Sequence, residues 1–310
     1  MHDDADDGSI NGNRYIPFTG LIRLEKQPQQ RRAADDGSPA TFRSLAKAFA
    51  PGGGTSAYGG HVFAQAVWAA AHTVKDGFVN VTGFFTLPGN TAFPFIYTVR
   101  TVDLRELYKV ALGDKRPDEW PEAPGVDSPW YWEASAKNDN YTDPFPGLSL
   151  RKVDMSAYNA PRKPLDRRQL QFYTTIGSMP PVSQNANLHA CAHLYASDRN
   201  GLFVITNHLG AGDDYSAMAT LSHSVVFHVG AKELEMAEQD DRGARKWYCQ
   251  ESRVSRASGG RGMLESRIWS EGGVHIATTW QDGLVKMEKT GQLAEKLQER
   301  FGPSVAREKL

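Results

Sequence analysis

Apolar residues recur at helical spacing in two segments of the chain. From Gly59, the segment GGHVFAQAVWAAAHTV has apolar residues three or four positions apart along one face: Val62, Phe63, Ala66, Val67, Ala70 and Val74. Alanines fill much of the remaining surface. A second segment, ANLHACAHLYAS, ends at Ser197 and has the same small-sided character. The spacing predicts one helix in each half of the chain, the first wrapped on several sides.

Strand-like segments follow each predicted helix. After the first come VNVTGFFTL and FPFIYTVRTV, and after the second come MATLSHSVVFHV, KWYCQESRVSRAS, RGMLESRIWS and GGVHIATTWQDGLVK. These segments are rich in β-branched and aromatic residues, and glycines at 259–262 and 272–273 mark turns between them. IPFTGLIRLEK is a candidate edge strand, and PWYWEASAK could be another strand. A helix followed by an antiparallel meander therefore occurs twice, which is an α+β arrangement.

Strict alternation predicts which way the strand side chains point. One face of MATLSHSVVFHV carries Ala219, Leu221, Val225 and Phe227, and the other carries Thr220, Ser222 and Ser224. In HIATTWQDGLV, one face carries Ile276, Trp280 and Leu284. Gln281 lies opposite that face. Thr220 and Gln281 are thus expected off the apolar stripe, facing either a site or solvent.

Composition divides the chain into five parts. Residues 1–40, rich in Asp, Gly, Gln and Arg, predict a mostly disordered tail, and 41–137 a first lobe. Residues 138–183 collect Pro, Asp and Asn and predict an inter-lobe connection. Residues 184–290 form the second lobe, and 291–310 a C-terminal tail with a helix.

Charge and cysteine content exclude several classes of protein. The net charge of -1 gives no electrostatic footprint for nucleic acid. No run approaches the roughly 20 apolar residues of a membrane span, and the acidic N-terminus is unlike a secretory signal. Cys191 and Cys249 lie in apolar segments and predict buried free thiols in a reducing compartment. We expect an intracellular protein that binds neither nucleic acid nor membrane.

Three polar residues of the second half can together hold a hydrolytic water. Asp198 supplies a carboxylate that accepts a proton, Thr220 a hydroxyl, and Gln281 an amide with fixed directions. The chain has neither a GxSxG elbow nor a papain-like cysteine motif, so a protein nucleophile is not required. Taken singly, each residue has an ordinary structural role: a turn cap, a strand threonine and a surface amide.

Several of these segments resemble the acyl-coenzyme A thioesterase II family, of the fungal or peroxisomal type. YGGHVFAQAVWAA resembles the family's Gly-Gly helix entry, and NVTGFFTLPG its following strand and turn. LYASDRNG, ATLSHSVVFH and ATTWQDGLV resemble three family signatures in the right order. The resemblance implies a double hotdog fold, in which two helix-in-sheet halves share one chain. It also implies that Asp198, Thr220 and Gln281 stand where the family places its water-orienting triad.

The resemblance implies hydrolysis of fatty acyl-CoA to free acid and coenzyme A, without a cofactor. We expect the helix entry at Gly59, Gly60 and His61 to donate backbone N–H groups to the oxyanion, since the first N–H groups of a helix are unpaired. A tight turn into the helix is the other reading of the two glycines. The family's paired sheet edges imply a homodimer or larger assembly.

Departures from the family pattern leave a second hypothesis open. After FIYTVR the family shows an Arg-Asp-Gly turn and a strand, whereas this chain runs TVDLRELYKVALGDKRPDEW, so the first lobe is missing or rebuilding a strand. The alternative is a catalytically impaired hotdog protein that acts as an acyl-binding or interaction module. A hotdog hydratase would want a His beside the Asp of YASDRNG, and none is there.

Two further motifs concern metal binding and location in the cell. His189 and His193 are four apart, as zinc ligands can be, but HACAH lacks the Glu of HExxH and a third ligand, so we expect no metal site. The C-terminal Glu308, Lys309 and Leu310 match a peroxisomal Ser-Lys-Leu address at the last two positions. That match predicts a peroxisomal location, with a chance ending and a cytoplasmic location as the alternative.

Overall fold

The computed structural model describes residues 16–28, 41–46, 49, 57–73, 102–137, 145–236 and 245–287. The first-lobe strand predictions VNVTGFFTL and FPFIYTVRTV lie outside these residues, apart from Val102, as do most of both tails. The strands are β1 Leu24–Lys26, β2 Phe42–Ser44, β3 Leu148–Lys152, β4 Gln169–Thr175, β5 Tyr215–Phe227, β6 Tyr248–Ser258, β7 Arg261–Ser270 and β8 His275–Met287. The helices are α1 Phe18–Leu21, α2 Gly59–Ala71, α3 Leu104–Leu107, α4 Lys109–Leu112, α5 Pro129–Lys137, α6 Ser156–Asn159, α7 Ala186–Ser197 and α8 Gly201–Leu209.

A six-stranded antiparallel sheet is the largest element of the described structure. Its strand order is β3-β4-β6-β7-β8-β5, so β3 and β5 form its edges. Helix α7 lies against one face of this sheet, and its residues from Leu188 to Ser197 are all buried. This is the helix-in-sheet half that the resemblance implied for the second lobe.

The hairpin between β6 and β7 shows why the turn glycines are needed. Gly259 and Gly260 have φ of 60° and 73°. Two consecutive residues with positive φ make the tight turn whose twist matches the flanking strands, and glycine adopts this conformation without steric cost. The predicted turn at 259–262 is confirmed, as are the four predicted strands of the second half and the helix at 186–197.

Helix α2 is buried on a narrower face than predicted. Its buried residues are Gly60, His61, Ala64 and Val67, whereas Val62 is 54% exposed. The buried face packs against α7 and joins the same core. The predicted stripe was therefore wrong at Val62 and Ala66, which are exposed, and its last member, Val74, lies outside the described residues.

One segment predicted as a strand is helical, and another forms a strand only in part. PWYWEASAK forms α5, which Pro129 begins at the first helical position, where its fixed φ suits a helix. Its aromatic residues pack with Val126 and Phe203 in a small side cluster. IPFTGLIRLEK is divided into the single turn α1 and the short strand β1, which pairs with β2.

The range expected to connect the lobes contributes to the sheet of the second lobe. β3 and β4, inside 138–183, pair with each other, and β4 pairs with β6. The sequence did not predict these two strands, because Pro-rich and polar flanks concealed short segments that are buried on both faces. Residues 104–112 form α3 and α4, which pack on Cys249 and Trp269. The outer domain boundaries stay a prediction.

Both cysteines are buried and free, as predicted. Among the described residues, no helix has the length and apolarity required to cross a membrane.

Candidate active site

Asp198 lies at a sharp turn between two consecutive helices. It follows the last residue of α7, and α8 begins at Gly201, three residues later. Asn200 has a φ of 64°, the left-handed conformation that asparagine tolerates better than most residues. The turn allows the chain to leave α7 and begin α8 while the Asp198 carboxylate points at the neighbouring strands.

Buried amide side chains hold this turn on the sheet. Gln250 of β6 donates from Nε2 to the carbonyl of Ser197 at 2.9 Å, and Gln171 of β4 donates to the carbonyl of Arg199 at 2.9 Å. Gln171 also donates to Oε1 of Gln250 at 2.7 Å, and Asn200 donates to Oε1 of Gln171 at 3.0 Å. These groups are satisfied by one another in a region that excludes water, so the turn has a single well-determined position.

A β-bulge turns Thr220 toward the helices. Thr220 pairs with Gly283 and Ser222 pairs with Asp282, so Leu221 is an extra residue in β5. Residues paired across strands share a face, and the face of Gly283 is also that of Gln281 and its partner His223. The strict alternation predicted for β5 was wrong at the bulge: Leu221 is 52% exposed.

Gln281 is buried on the helix-facing side of β8. Its exposed fraction is 1%, whereas Trp280 and Leu284 are 42% and 38% exposed on the other side. The prediction that Trp280 and Leu284 lie on the buried face was therefore wrong. The first residue of α8 leaves room for the amide because it is a glycine: a Cβ on Gly201 would stand 2.1 Å from Oε1 of Gln281.

The three predicted residues meet in one hydrogen-bonded cluster. Oδ1 of Asp198 accepts from Nε2 of Gln281 and, at 3.4 Å, from Oγ1 of Thr220. Nε2 of Gln281 also donates to Oγ1 of Thr220 at 2.6 Å. Asp198 is partly buried, Gln281 is buried and Thr220 is exposed, so solvent reaches the cluster from the threonine side.

The surroundings of Asp198 suit a carboxylate that exchanges a proton near neutral pH. Burial raises the pKa of Asp198 to about 6, because the charged form loses water. Hydrogen bonds from Gly60, Gln281 and Thr220 and the charge of Arg199 oppose this rise. A general base works best when its pKa lies near the working pH.

The helix entry of the first lobe meets this cluster, but in a different role from the one predicted. The N–H of Gly60 donates to Oδ2 of Asp198 at 2.7 Å, and the N–H of His61 donates to the carbonyl of Tyr58 at 3.1 Å. The imidazole of His61 is buried, with Nε2 3.1 Å from the carbonyl of Leu21. Gly60 and His61 thus have no N–H free for an oxyanion. Gly59 keeps a backbone N–H without a hydrogen bond to any other described residue.

Sequence reasoning missed the residues that support the cluster. Gln171 and Gln250 would have stood out as glutamines on strands that are otherwise buried, had β4 been recognised as a strand. His223, the strand partner of Gln281, places Nε2 2.8 Å from Oγ of Ser197, and its ring contacts Phe63 of α2. Burial lowers the pKa of His223 to about 4, so its imidazole is neutral and serves in packing and hydrogen bonding.

The two histidines of α7 are used in structural hydrogen bonds. His189 lies 2.8 Å from the carbonyl of Pro180 through Nε2 and accepts from the N–H of Met236 through Nδ1. His193 contacts the hydroxyl of Tyr173 and the carbonyl of Leu234. Within the described ranges no group of three or more metal-binding side chains occurs.

Comparisons with known proteins agree with this architecture. The model of the acyl-CoA thioesterase C-terminal domain matches residues 117–285, and that of the N-terminal domain matches residues 48–105. Acyl-CoA thioesterase 2 of Haemophilus influenzae is 23% identical over 270 residues, which covers 75% of this chain and 88% of the relative.

Two solved structures extend the comparison. The acyl-CoA thioesterase II TesB2 of Mycobacterium marinum aligns with a TM-score of 0.51 and 18% identity, covering 89% of this chain and 99% of that one. A tesB protein of Mycobacterium avium subspecies paratuberculosis is 16% identical, with a TM-score of 0.45, and covers 86% of this chain and 97% of its own. The TesB2 alignment supports the α+β double hotdog fold. The C-terminal domain match spans more than half of the chain, and the chain therefore belongs to the acyl-CoA thioesterase II family of thioester hydrolases.

Proposed function

We propose that this enzyme hydrolyses fatty acyl-CoA thioesters with a water molecule oriented by Asp198, Thr220 and Gln281. The observation that carries the proposal is the convergence of these residues. They are far apart in the sequence, and their carboxylate, hydroxyl and amide form one hydrogen-bonded cluster that is open to solvent at Thr220.

The chemistry assigns a separate task to each group. A water bound at the cluster donates a hydrogen bond to the Asp198 carboxylate, which takes its proton as the water oxygen attacks the thioester carbon. Thr220 and Gln281 fix the direction of attack by hydrogen bonding. The tetrahedral intermediate then collapses: the C–S bond breaks, coenzyme A leaves as the thiolate, and the proton held by Asp198 neutralises it.

The developing oxyanion needs a donor that is not already used. The N–H of Gly59 meets this condition, because those of Gly60 and His61 are hydrogen bonded. Gly59 is the first residue of α2, where the positive end of the helix dipole favours a negative oxygen. We assign this backbone N–H to the oxyanion and assign Gly60 to the support of Asp198.

A second candidate function follows from the departure in the first lobe. Residues 104–112 form α3 and α4 where the resemblance places a strand. If this change closes the acyl groove, the protein is an acyl-binding or interaction module without turnover.

A thiol-release assay across acyl-CoA chain lengths tests both candidates. The wild-type chain is expected to release coenzyme A from fatty acyl-CoA, and Asp198→Asn is expected to lose about 100-fold or more in kcat while remaining folded. Circular dichroism checks the fold. An unchanged rate in Asp198→Asn would refute the assigned role, and the absence of thiol release from every thioester by the wild type would favour the binding module.

A further inference from the structure

A cavity of about 570 Å³ lies at the far end of α8, outside the proposed catalytic cluster. The ends of β3 and β4, helix α6 and the last turn of α8 surround it. The side chains that give it chemical character are Trp132, Lys152, Arg167, Arg168, Gln169 and His208. Its size falls within the range of small-molecule sites in proteins.

Three basic side chains, Lys152, Arg167 and Arg168, and one acidic side chain, Asp154, line this cavity. Lys152 forms an ion pair with the buried Asp127 at 2.6 Å, and Arg168 lies 3.8 Å from Glu251. Arg167 donates to the carbonyls of Arg162 and His208, with no carboxylate partner among the described residues. The remaining acidic group in the lining, Asp154, accepts a hydrogen bond from the N–H of Ser156.

The imidazole of His208 responds to these cations. Burial, together with the charges of Arg167, Lys152 and Arg168, lowers the pKa of His208 to about 4. Arg167, which has no carboxylate partner among the described residues, thus places a positive charge beside a neutral imidazole, and this favours an anionic ligand.

Two buried polar atoms in the lining have no hydrogen-bond partner among the described residues. They are Nε2 of Gln169 and Nδ1 of His208, whose residues are 4% and 5% exposed. A buried donor or acceptor without a partner is costly, so a polar ligand that reaches these atoms would offset the cost.

An aromatic wall completes the cavity. Oδ1 of Asp127 accepts from Nε1 of Trp132 and from Nζ of Lys152, both at 2.6 Å, and Nζ lies 5.7 Å from the centre of the indole ring. One buried carboxylate thus fixes a flat ring and an ammonium group side by side before any ligand arrives. A flat ring beside cations suits a purine that carries phosphate groups.

Helix α8 and strand β4 extend from the cavity wall to the surroundings of the catalytic cluster. Helix α8 begins at Gly201, against Gln281, and reaches His208 after seven residues, roughly 10 Å along its axis. On β4, Gln169 lies two residues from Gln171, roughly 7 Å away on the same face. A ligand with an adenine nucleotide at one end and a reactive thioester on a flexible arm has this form.

We propose that this cavity binds the phosphate-bearing adenosine end of the coenzyme A thioester. This inference rests on the proposed function, since it names the substrate's handle for the same reaction. Arg167 and Gln169 contact the phosphate groups, and the indole of Trp132 stacks on the adenine.

Two kinds of measurement on the full chain test the site. Calorimetry with adenosine 3′,5′-bisphosphate, and with inorganic phosphate as the simpler anion, measures binding directly. Arg167→Gln and Gln169→Leu are each expected to weaken nucleotide binding about 10-fold or more, because each removes a hydrogen bond to a charged group. Arg43→Gln, which changes an exposed arginine on β2 outside the cavity, is the matched control and is expected to bind as the wild type does.

Kinetics with two thioesters separate this proposal from the proposed function. Arg167→Gln is expected to raise KM for an acyl-CoA about 10-fold with little change in kcat, and to have a much smaller effect on KM for the same acyl group on N-acetylcysteamine, which lacks the nucleotide. Equal effects on both thioesters, or wild-type nucleotide binding in both variants, would overturn the assignment of the cavity while thioester hydrolysis stands. A third outcome is a chain that hydrolyses neither thioester but binds the nucleotide in a way that depends on Arg167. This result would contradict the proposed function and support the assignment of the cavity to the nucleotide.

Gln169→Leu protects the test from a folding defect. Arg167 also holds a backbone carbonyl at the end of α8, so its loss can disturb the cavity wall. Nε2 of Gln169 has no hydrogen-bond partner among the described residues, so the change to leucine breaks no hydrogen bond of that atom to them. The Gln169→Leu variant is therefore expected to keep the thermal stability of the wild type. Wild-type nucleotide affinity in a stably folded Gln169→Leu variant would count against the proposal.

Discussion

The backbone N–H of Gly60 donates a hydrogen bond of 2.7 Å to Oδ2 of Asp198, across 138 residues of sequence. The first turn of α2, from the first lobe, thereby supports a carboxylate at the end of α7 in the second. A backbone donor at a helix N-terminus stabilises the ionised carboxylate and sets its orientation. Within the described part of the first lobe, it is therefore the main chain that contributes to the proposed catalytic base.

Gly59→Ala is expected to impair catalysis with little loss of stability. A Cβ at this position would stand 2.9 Å from Oδ2 of Asp198, so the carboxylate must move. A displacement of this size in a reacting group can cost about 100-fold in rate. Alanine favours a helix more than glycine does, so the thermal midpoint should hold or rise. Thiol release and thermal denaturation measure the two effects, and full activity would contradict the placement of Asp198.

Gly60→Ala is the matched comparison and is expected to lose both activity and stability. Its Cβ would stand 2.8 Å from the backbone carbonyl of Tyr195 and 2.6 Å from the hydroxyl of Tyr58. A backbone atom cannot be displaced as easily as a side chain, and overpacking of this kind costs about 1–3 kcal/mol. Chemical denaturation gives the free energy of unfolding of both variants. Equal stability in the two alanine variants would contradict this prediction and show that α2 can shift to make room for the Cβ at position 60.

Thr220→Val is expected to lower kcat about 100-fold without unfolding the protein. Valine keeps the shape and removes the hydroxyl that bonds Asp198 and Gln281, so the water loses one positioning contact. Thr220→Ser should retain most of the rate. Ser224→Ala, an exposed position on the opposite face of the same strand, is the control and should match the wild type. The assignment of Thr220 fails if the valine and serine variants are equally active.

The rate should depend on the ionisation of Asp198. Its pKa is raised to about 6, chiefly by burial, and the carboxylate must be ionised to accept a proton from water. We expect kcat to rise about tenfold per pH unit below that value and to level off above it. A pH profile of thiol release from a stable thioester measures this. A rate that is flat between pH 5 and pH 7 would exclude Asp198 as the base.

The same carboxyl makes folding stability fall with rising pH. A raised folded-state pKa means that the protonated form is favoured in the folded protein, so this stabilisation is full below the ordinary aspartate pKa of 3.8 and is lost as pH rises through about 6. Asp198→Asn removes the titrating group and should remove this part of the pH dependence. Denaturation curves of both proteins across this pH window measure the free energy of unfolding. Only the wild type should lose this part of its stability as the pH rises.

The residues of the cluster could be predicted from the sequence, but their orientation could not. Asp198, Thr220 and Gln281 belong to separate short signatures, and residue chemistry together with the resemblance was enough to select them. The direction of Thr220 depends on the bulge at Leu221, which only the register with β8 reveals. The alternation in β8 places Gln281 opposite Trp280 and Leu284 and predicts that those two apolar residues are buried. They lie on the exposed side of the sheet, and Gln281 is on the buried side.

Long elements with a clear period were also predictable, and short ones were not. α7 and β5 to β8 lie where the pattern places them. β3 has five residues and β4 seven, buried almost throughout, so neither shows the alternation of a half-buried strand. α8 was missed because Asn200 and Gly201 read as the end of a helix rather than as a turn into the next one.

The amides that hold the turn at Asp198 should be energetically coupled. Gln250→Leu leaves the buried carbonyl of Ser197 and the amide of Gln171 short of a partner, which is expected to cost about 1–3 kcal/mol of stability. Adding Gln171→Leu should cost less than it does in the wild type, because its partner is already lost. A double-mutant cycle by chemical denaturation measures this coupling, and strict additivity would mean that the two amides act independently.

Leu221 brings no functional group to the cluster, yet the bulge that it forms lets Thr220 and His223 share one face of the sheet although they are three residues apart. Because successive side chains of a strand alternate between faces, regular pairing of the same residues would put these two side chains on opposite sides. Deleting Leu221 should consequently be tolerated, since it leaves Thr220 two residues from His223 and therefore still on the same face. The strand should likewise accept many different side chains at position 221, because the leucine is 52% exposed.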